Sequence, residues 1–99
     1  MKATRESLLE KDRTLGEAAD LLLGMHRAMI DGPSRRIFVE DAILRLRPVA
    51  ASGGALEAVV ARGAARLYGA PDLAMDAIVV ALEEVNEARL SVCSRAVSV

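Results

Sequence analysis

The feature that most constrains this chain is a run of five apolar residues, I-V-V-A-L at 78–82, inside an otherwise one-sided helical pattern. In the surrounding stretch 71–90, apolar residues recur at helical spacing and acidic residues lie opposite them. Val79 and Val80 fall outside the apolar side, toward the acids. A helix that is apolar all round is buried on more than one side. Since a small core covers only one side, we expect the other to meet a second subunit; the alternative is that both are ordinary exposed valines.

The composition predicts closely packed helices. The chain has 99 residues, enough for one domain with a small core. Alanine and leucine, both strong helix formers, are its most abundant residues, whereas it has one Phe, one Tyr and no Trp. We therefore predict an all-α fold, a small bundle of four to five helices that is completed by dimerisation or higher self-association. A pocket lined by aromatic side chains is not expected.

The limits of the first long helix are marked by a cap and by breakers. T-L-G-E matches a capping box with Thr14 at the N-cap, which predicts a helix over 15–31. Gly32 and Pro33 then end that helix. Ser34 is placed to cap the next one.

Proline and glycine also divide the rest of the chain. Further helices are predicted over 35–47, 55–68 and from Pro71 to about residue 92. The loop P-V-A-A-S-G-G at 48–54 is the candidate hinge. The predicted organisation is a single helical domain over 14–92, preceded by a short helix or mobile arm at 1–13 and followed by a flexible tail at 93–99, for which a fraying helix and an edge strand are alternatives.

The helix over 55–68 is unusually rich in small residues, with a glycine in its middle. Small side chains let a second backbone approach closely. Together with the last helix, this pattern indicates a surface for self-association. The predicted oligomer interface consists of Leu73, Ala77, Val79 and Val80 on the last helix and of Ala61, Gly63 and Ala64 on the preceding one.

Charge is unevenly distributed, although the net charge is only −1. Residues 34–66 contain six Arg and three acids, whereas residues 71–88 contain five acids and no base. These regions could pair with each other, or the arginines could contact phosphates. No aromatic side chain accompanies them for stacking, and no helix-turn-helix pattern is evident, so nucleic acid is the less favoured partner. The candidate phosphate contacts are Arg35, Arg36, Arg45, Arg47, Arg62 and Arg66.

No residue pattern predicts catalysis, a metal or a cofactor. His26, the only histidine, lacks the Lys and Gly that usually follow the histidine of helical phosphotransfer domains, so phosphotransfer is a remote alternative. Glu83 and Glu87 are one helical turn apart, but the Glu-x-x-His of a di-iron bundle is missing. Cys93 has no second cysteine and no histidine near it in sequence. We therefore expect a protein that is not an enzyme.

The expected setting is the cytoplasm, without membrane attachment. The N-terminal residues are charged, no apolar run approaches the roughly 20 residues of a membrane span, and the lone cysteine excludes an internal disulfide. We predict a self-associating adaptor or regulatory protein that acts through protein–protein contacts, with itself and an unidentified protein as partners. The alternative is a dimeric DNA-associated regulator, of the kind that phages and mobile elements encode, using the Arg-rich face.

Overall fold

The computed structural model describes residues 4–50 and 54–98 of the chain. Within these ranges the protein is an all-helical bundle of four α-helices, which confirms this part of the predicted fold class; its completion by self-association stays a prediction. Its elements are α1 (Arg5–Asp31), a short 3-10 helix (Pro33–Arg35), α2 (Arg36–Leu46), α3 (Ala55–Gly69) and α4 (Pro71–Ser98). Parts of three predicted segments lie outside the described residues, namely 1–3 of the arm, 51–53 of the loop and 99 of the tail.

Helix α1 starts with the segment that was expected to be a separate arm. The hydroxyl oxygen of Thr4 accepts a hydrogen bond from the backbone N–H of Ser7 at 3.0 Å and so caps the helix. Leu8 is buried in a small cluster with Val92 and Ala96 of α4. The same cluster explains why α4 continues as a helix to Ser98, through the residues predicted as a flexible tail: both helix ends have an apolar partner.

The helix start predicted at Thr14 is wrong. Thr14 lies inside α1, and its hydroxyl donates a hydrogen bond to the carbonyl oxygen of Glu10 at 3.1 Å. A capping motif in the sequence acts as a cap only where the backbone leaves its first N–H groups unpaired. Here the preceding turns already supply carbonyl partners, so the helix passes through.

The turn after α1 ends the helix as predicted but starts α2 differently. Gly32 has φ 92°, which favours glycine, and its N–H donates to the carbonyl oxygen of Ala28 at 3.1 Å. Pro33 then opens the 3-10 helix. The cap predicted at Ser34 is wrong, because Ser34 lies inside that helix and Arg35 occupies the N-cap position of α2.

Gly63 divides α3 into two segments that meet at a kink. Its φ of 72° and ψ of 163° are not helical, and residues with a Cβ rarely adopt them. No atom within the described ranges lies within 4 Å of the position that a Cβ would occupy. The glycine is therefore required by the backbone conformation, and the predicted reason, close approach of another backbone, does not apply within the chain.

Aliphatic side chains from all four helices fill the main core. Burying one such side chain stabilises the fold by about 1.5–3 kcal/mol relative to leaving it exposed. No polar or charged residue is among the buried residues described. The largest side chains that are almost completely buried are Leu22, Met25, Val39, Leu46, Val59, Leu67 and Ile78.

The start of α3 is capped by a side chain from α4. The two carboxylate oxygens of Glu84 accept hydrogen bonds from the backbone N–H groups of Ala55 and Leu56, each at 3.0 Å. Gly54, at the N-cap position, has no side chain for this purpose. The first N–H groups of a helix carry partial positive charge, which a carboxylate stabilises. Glu84 therefore fixes α3 against α4.

We expect Glu84→Gln to lower the free energy of unfolding by about 1–2 kcal/mol, because an amide can present only one acceptor and brings a donor toward a backbone N–H. Urea denaturation measures the change. The matched control is Glu83→Gln at the exposed neighbouring position, which should change stability by less than about 0.5 kcal/mol. Equal effects of the two substitutions would contradict the role assigned to Glu84.

Gly63→Ala should lower the free energy of unfolding by roughly 1–2 kcal/mol, because alanine is strained at positive φ. Gly69→Ala is the control, since no atom crowds that position and its φ lies outside the range that favours glycine. It should be neutral or stabilising by up to about 1 kcal/mol. Thermal or urea unfolding compares the two, and a neutral Gly63→Ala would show that the kink is not required.

Candidate interaction surface

Helices α1 and α4 lie antiparallel over most of their length. Arg89, near the end of α4, donates from Nε to Oδ1 of Asp12, near the start of α1, at 3.1 Å. With a rise of 1.5 Å per residue, Leu23 lies about 16 Å further along α1 and at the height of Ile78 and Val79 on α4. The two longest helices therefore form one broad layer.

An exposed line of apolar positions runs along α1 beside α4. Leu9 borders a groove that Cys93 and Val97 of α4 also line. Leu23 and Ile30 follow Leu9 at multiples of seven residues and are exposed like it. Residues seven apart differ by only about 20° around a helix, so all three lie within about 60° on one side of α1.

Helix α4 contributes a matching line. Leu90 lies in a groove lined by Asp12 of α1 and by Asn86 and Cys93 of α4. Val97 follows Leu90 by seven residues, and Val79 precedes Asn86 by seven. We call the combined set the apolar stripe. It consists of Leu9, Leu23 and Ile30 on α1 and of Val79, Leu90 and Val97 on α4.

The exposure of the stripe is largest where α1 begins and α4 ends. Leu90 is 72% exposed and Val97 88% exposed. At this end the buried cluster contains residues of these two helices only. A pair of helices buries one side of each helix and leaves the rest open. On α4, the stripe is therefore most exposed toward the C-terminal end of the helix.

A polar contact lies in the middle of the stripe. The guanidinium of Arg89 covers Gly16, where an added Cβ would lie 3.3 Å from it. The thiol of Cys93 donates to the same Oδ1 of Asp12 that Arg89 binds, at 3.4 Å. Charge on Asp12 and Arg89 is thus neutralised within the face, and the glycine leaves room for the pair.

These contacts shift the pKa values of the groups involved. The hydrogen bonds from Arg89 and then from Cys93 lower the pKa of Asp12 below its ordinary value. The bond to Asp12 and, secondarily, burial raise the pKa of the Cys93 thiol. Because the pKa of Asp12 is lowered in the folded state, the ion pair stabilises the fold above the ordinary carboxyl pKa. That stabilisation is lost as the pH falls through the lowered value.

Asp12→Asn should make Cys93 react faster with a thiol reagent in dilute protein at mildly alkaline pH. The substitution removes the carboxylate that raises the pKa of the thiol, so the reactive thiolate becomes more abundant. The rate of reaction with Ellman's reagent, recorded against pH, gives the apparent pKa. An unchanged pH profile would show that the Asp12 contact does not hold the proton on Cys93.

The predicted interface residues of α4 lie on two sides of the helix. Val79 is 39% exposed and belongs to the apolar stripe. Val80 is 53% exposed and lies one turn before Glu84, which contacts the start of α3. Leu73, seven residues before Val80, is exposed on that same α3 side. Ala77 is half-buried against the core.

The predicted interface residues of α3 do not form a surface. Ala64 is only 7% exposed and belongs to the main core. Gly63 forms the kink, and Ala61 is exposed. Of the other small residues of this helix, Ala55 packs against the core, whereas Ala58 and Ala65 are exposed.

Half of the candidate arginines are paired with acids close to them in sequence. The pairs are Arg35 with Asp31 at 3.8 Å, Arg36 with Glu40 at 3.1 Å and Arg45 with Asp41 at 2.9 Å. Arg47, Arg62 and Arg66 are exposed and form no ion pair within the described ranges. Local pairing reduces the positive potential available to phosphates, and binding of nucleic acid by this face stays a prediction.

A second exposed apolar region lies on α2. Ile37 is 81% exposed and Leu44, seven residues later, is also exposed. The ring of Phe38 packs on Gly24 of α1, where an added Cβ would lie 2.7 Å from it. This region consists of fewer residues than the apolar stripe and lies on a helix of only eleven residues.

The other residues considered for chemistry are not assembled into a site. His26 is half-buried on α1, and the hydroxyl of Tyr68 is buried without a hydrogen-bond partner among the described residues. Burial raises the pKa of Tyr68. The described ranges contain no group of three or more side chains suited to bind a metal. None of their helices is long and apolar enough to cross a membrane.

The apolar stripe on α1 was missed by the sequence analysis, which treated 1–13 as an arm. The signal that could have found it is the heptad spacing of Leu9, Gly16, Leu23 and Ile30. No protein-family model, curated protein or solved structure matches this chain.

Proposed function

We propose that this protein is a self-associating binding protein that acts through contacts between helices and not by catalysis. The proposal is supported by the apolar surface that the fold leaves uncovered. In the described ranges, eleven large apolar side chains are exposed. Single exposed apolar residues are common on monomers, whereas contiguous ones mark sites of association. Six of the eleven belong to the apolar stripe.

The total surface area supports the same proposal. The protein exposes 6436 Å², whereas a typical monomer of its 10.5 kDa mass exposes about 5,400 Å². The excess of about 1,000 Å² is similar to the roughly 800 Å² that each partner contributes to an interface of standard size. Burial on that scale would lower the exposed area of each copy to about the value typical of a monomer of the same mass.

The shape of the molecule explains where the excess comes from. Its radius of gyration is 14.3 Å, compared with about 12.6 Å for a compact domain of this length. The principal extents are 45 × 21 × 18 Å. The long direction is set by α1 and α4, which are about 40 Å long at 1.5 Å per residue. An elongated molecule exposes more surface than a compact one of the same mass, and the length of these two helices sets the elongation.

We expect the weight-average mass in sedimentation equilibrium to rise with protein concentration from 10.5 kDa to at least twice that value. Because unfolding then includes dissociation, the urea midpoint should also rise with concentration. Measurement at low and at high salt is the control, since an apolar interface is only weakly affected by ionic screening. A mass that stays at the monomer value at the highest soluble concentration would contradict the proposal.

A further inference from the structure

We infer that the partner which covers the apolar stripe is a second copy of this chain, with the α1–α4 layer of one copy packed on the α1–α4 layer of the other. The inference rests on the proposed self-association and names the face that carries it. It differs from the interface predicted from the sequence, which placed contacts on α3 and on the α3 side of α4.

The outward side of α4 has the spacing of a helix packing seam. Between the stripe residues Val79, Leu90 and Val97 lie Asn86 and Cys93, and the five follow one another at intervals of seven, four, three and four residues. Alternating steps of three and four residues keep side chains on the side of a helix that faces a parallel or antiparallel neighbour. The inner sides of α1 and α4 already pack in the core. A second, outward seam therefore indicates a further layer of helices.

The end of the layer where only two helices contribute buried residues points to what that further layer is. There, Leu8, Val92 and Ala96 form a cluster of their own. Two helices make half of a four-helix bundle, and another pair of similar length completes it. A second copy supplies such a pair: the stripe spans about 32 Å from Leu9 to Ile30 and about 27 Å from Val79 to Val97 at 1.5 Å per residue.

The charges that flank the stripe suit a two-fold arrangement. Each flanking residue lies three or four positions from a stripe residue, hence on the same side of its helix. The flank on α1 carries two arginines and two acids, whereas the flank on α4 carries acids only. Since Arg13 forms an ion pair with Glu10 of its own helix, Arg27 is the arginine available to the acids of a second copy. A two-fold axis parallel to α1 and α4, between the two layers, places the α1 flank of each copy against the α4 flank of the other. The flanking residues are Glu6, Arg13, Asp20 and Arg27 on α1 and Asp76, Glu83 and Glu87 on α4.

The test compares charges placed in the stripe with charges placed on the other exposed apolar positions. Leu23→Glu and Leu90→Glu introduce a carboxylate into the stripe, at positions that are more than half exposed in the single chain. Ile37→Glu on α2 and Val80→Glu on the α3 side of α4 are the matched controls, of similar exposure. Circular dichroism and thermal unfolding at low concentration verify that all four variants fold.

We expect each stripe variant to raise the dissociation constant of self-association at least about tenfold, which corresponds to loss of one well-buried contact. Each control should change it by less than about threefold. Sedimentation equilibrium of the wild type and the variants measures these constants.

Cys93 provides an independent measurement, because it lines a groove with Leu9 and Val97 of the stripe and is the chain's only cysteine. In the wild type, its rate of reaction with a maleimide should fall as the concentration rises through the dissociation constant. In Leu23→Glu the rate should stay constant over the same range. Leu23 is far from Cys93 along the layer, so only loss of association can explain that difference.

The outcomes separate this inference from the proposed function. A wild type that remains monomeric overturns both. A wild type that associates, with Leu23→Glu and Leu90→Glu unchanged, overturns the stripe as the interface and leaves self-association in place. A control variant that weakens association as strongly as the stripe variants also overturns it, because another face then carries the contact.

Discussion

The antiparallel packing of α1 against α4 is the contact on which the rest of the structure depends. These two helices span the length of the molecule, and α2 and α3 complete the core beside them. Two hydrogen-bonded contacts fix the arrangement: Arg89 binds Asp12 between the long helices, and Glu84 holds the start of α3. Since α1 and α4 extend beyond the other two, the packing that builds the core also leaves their outer side uncovered. The elongated shape and the apolar stripe have this one cause.

Much of the fold could be predicted from local chemistry, and the errors occur where a tertiary contact decides. The stop at Gly32 and Pro33 is set by backbone geometry, and the structure retains it. The start at Thr14 depends on which of two threonines finds unpaired N–H groups, and burial of Leu8 against α4 decides in favour of Thr4. The last residues of α4 are helical for the same reason, because Val92 and Ala96 pack with Leu8. In the sequence, Gly63 stands out for its small size. Its positive φ belongs to a kink that no local sequence pattern predicts.

The candidate surface was only partly predictable for a related reason. The apolar circumference of α4 was evident, but two valines adjacent in sequence point about 100° apart on a helix. Which of them faces α1 depends on how α4 is rotated against α1. The amino-acid sequence does not show this orientation directly. Once Asp12 is placed opposite Arg89, Val79 joins Leu23 and Leu90 in one face, while Val80 falls on the α3 side. In the same arrangement, the apolar residues at heptad spacing on α1 become part of this face.

The most direct test of the central claim measures solvent contact of individual methyl groups in the associated protein. A soluble paramagnetic agent broadens the NMR signals of methyl groups that it can reach. If a second copy covers the apolar stripe, the methyls of Leu9, Leu23, Leu90 and Val97 will be protected at high protein concentration and broadened on dilution, whereas those of Ile37 and Leu44 will be broadened at both. Stripe methyls that are broadened as strongly as those of α2 at every concentration would contradict the account.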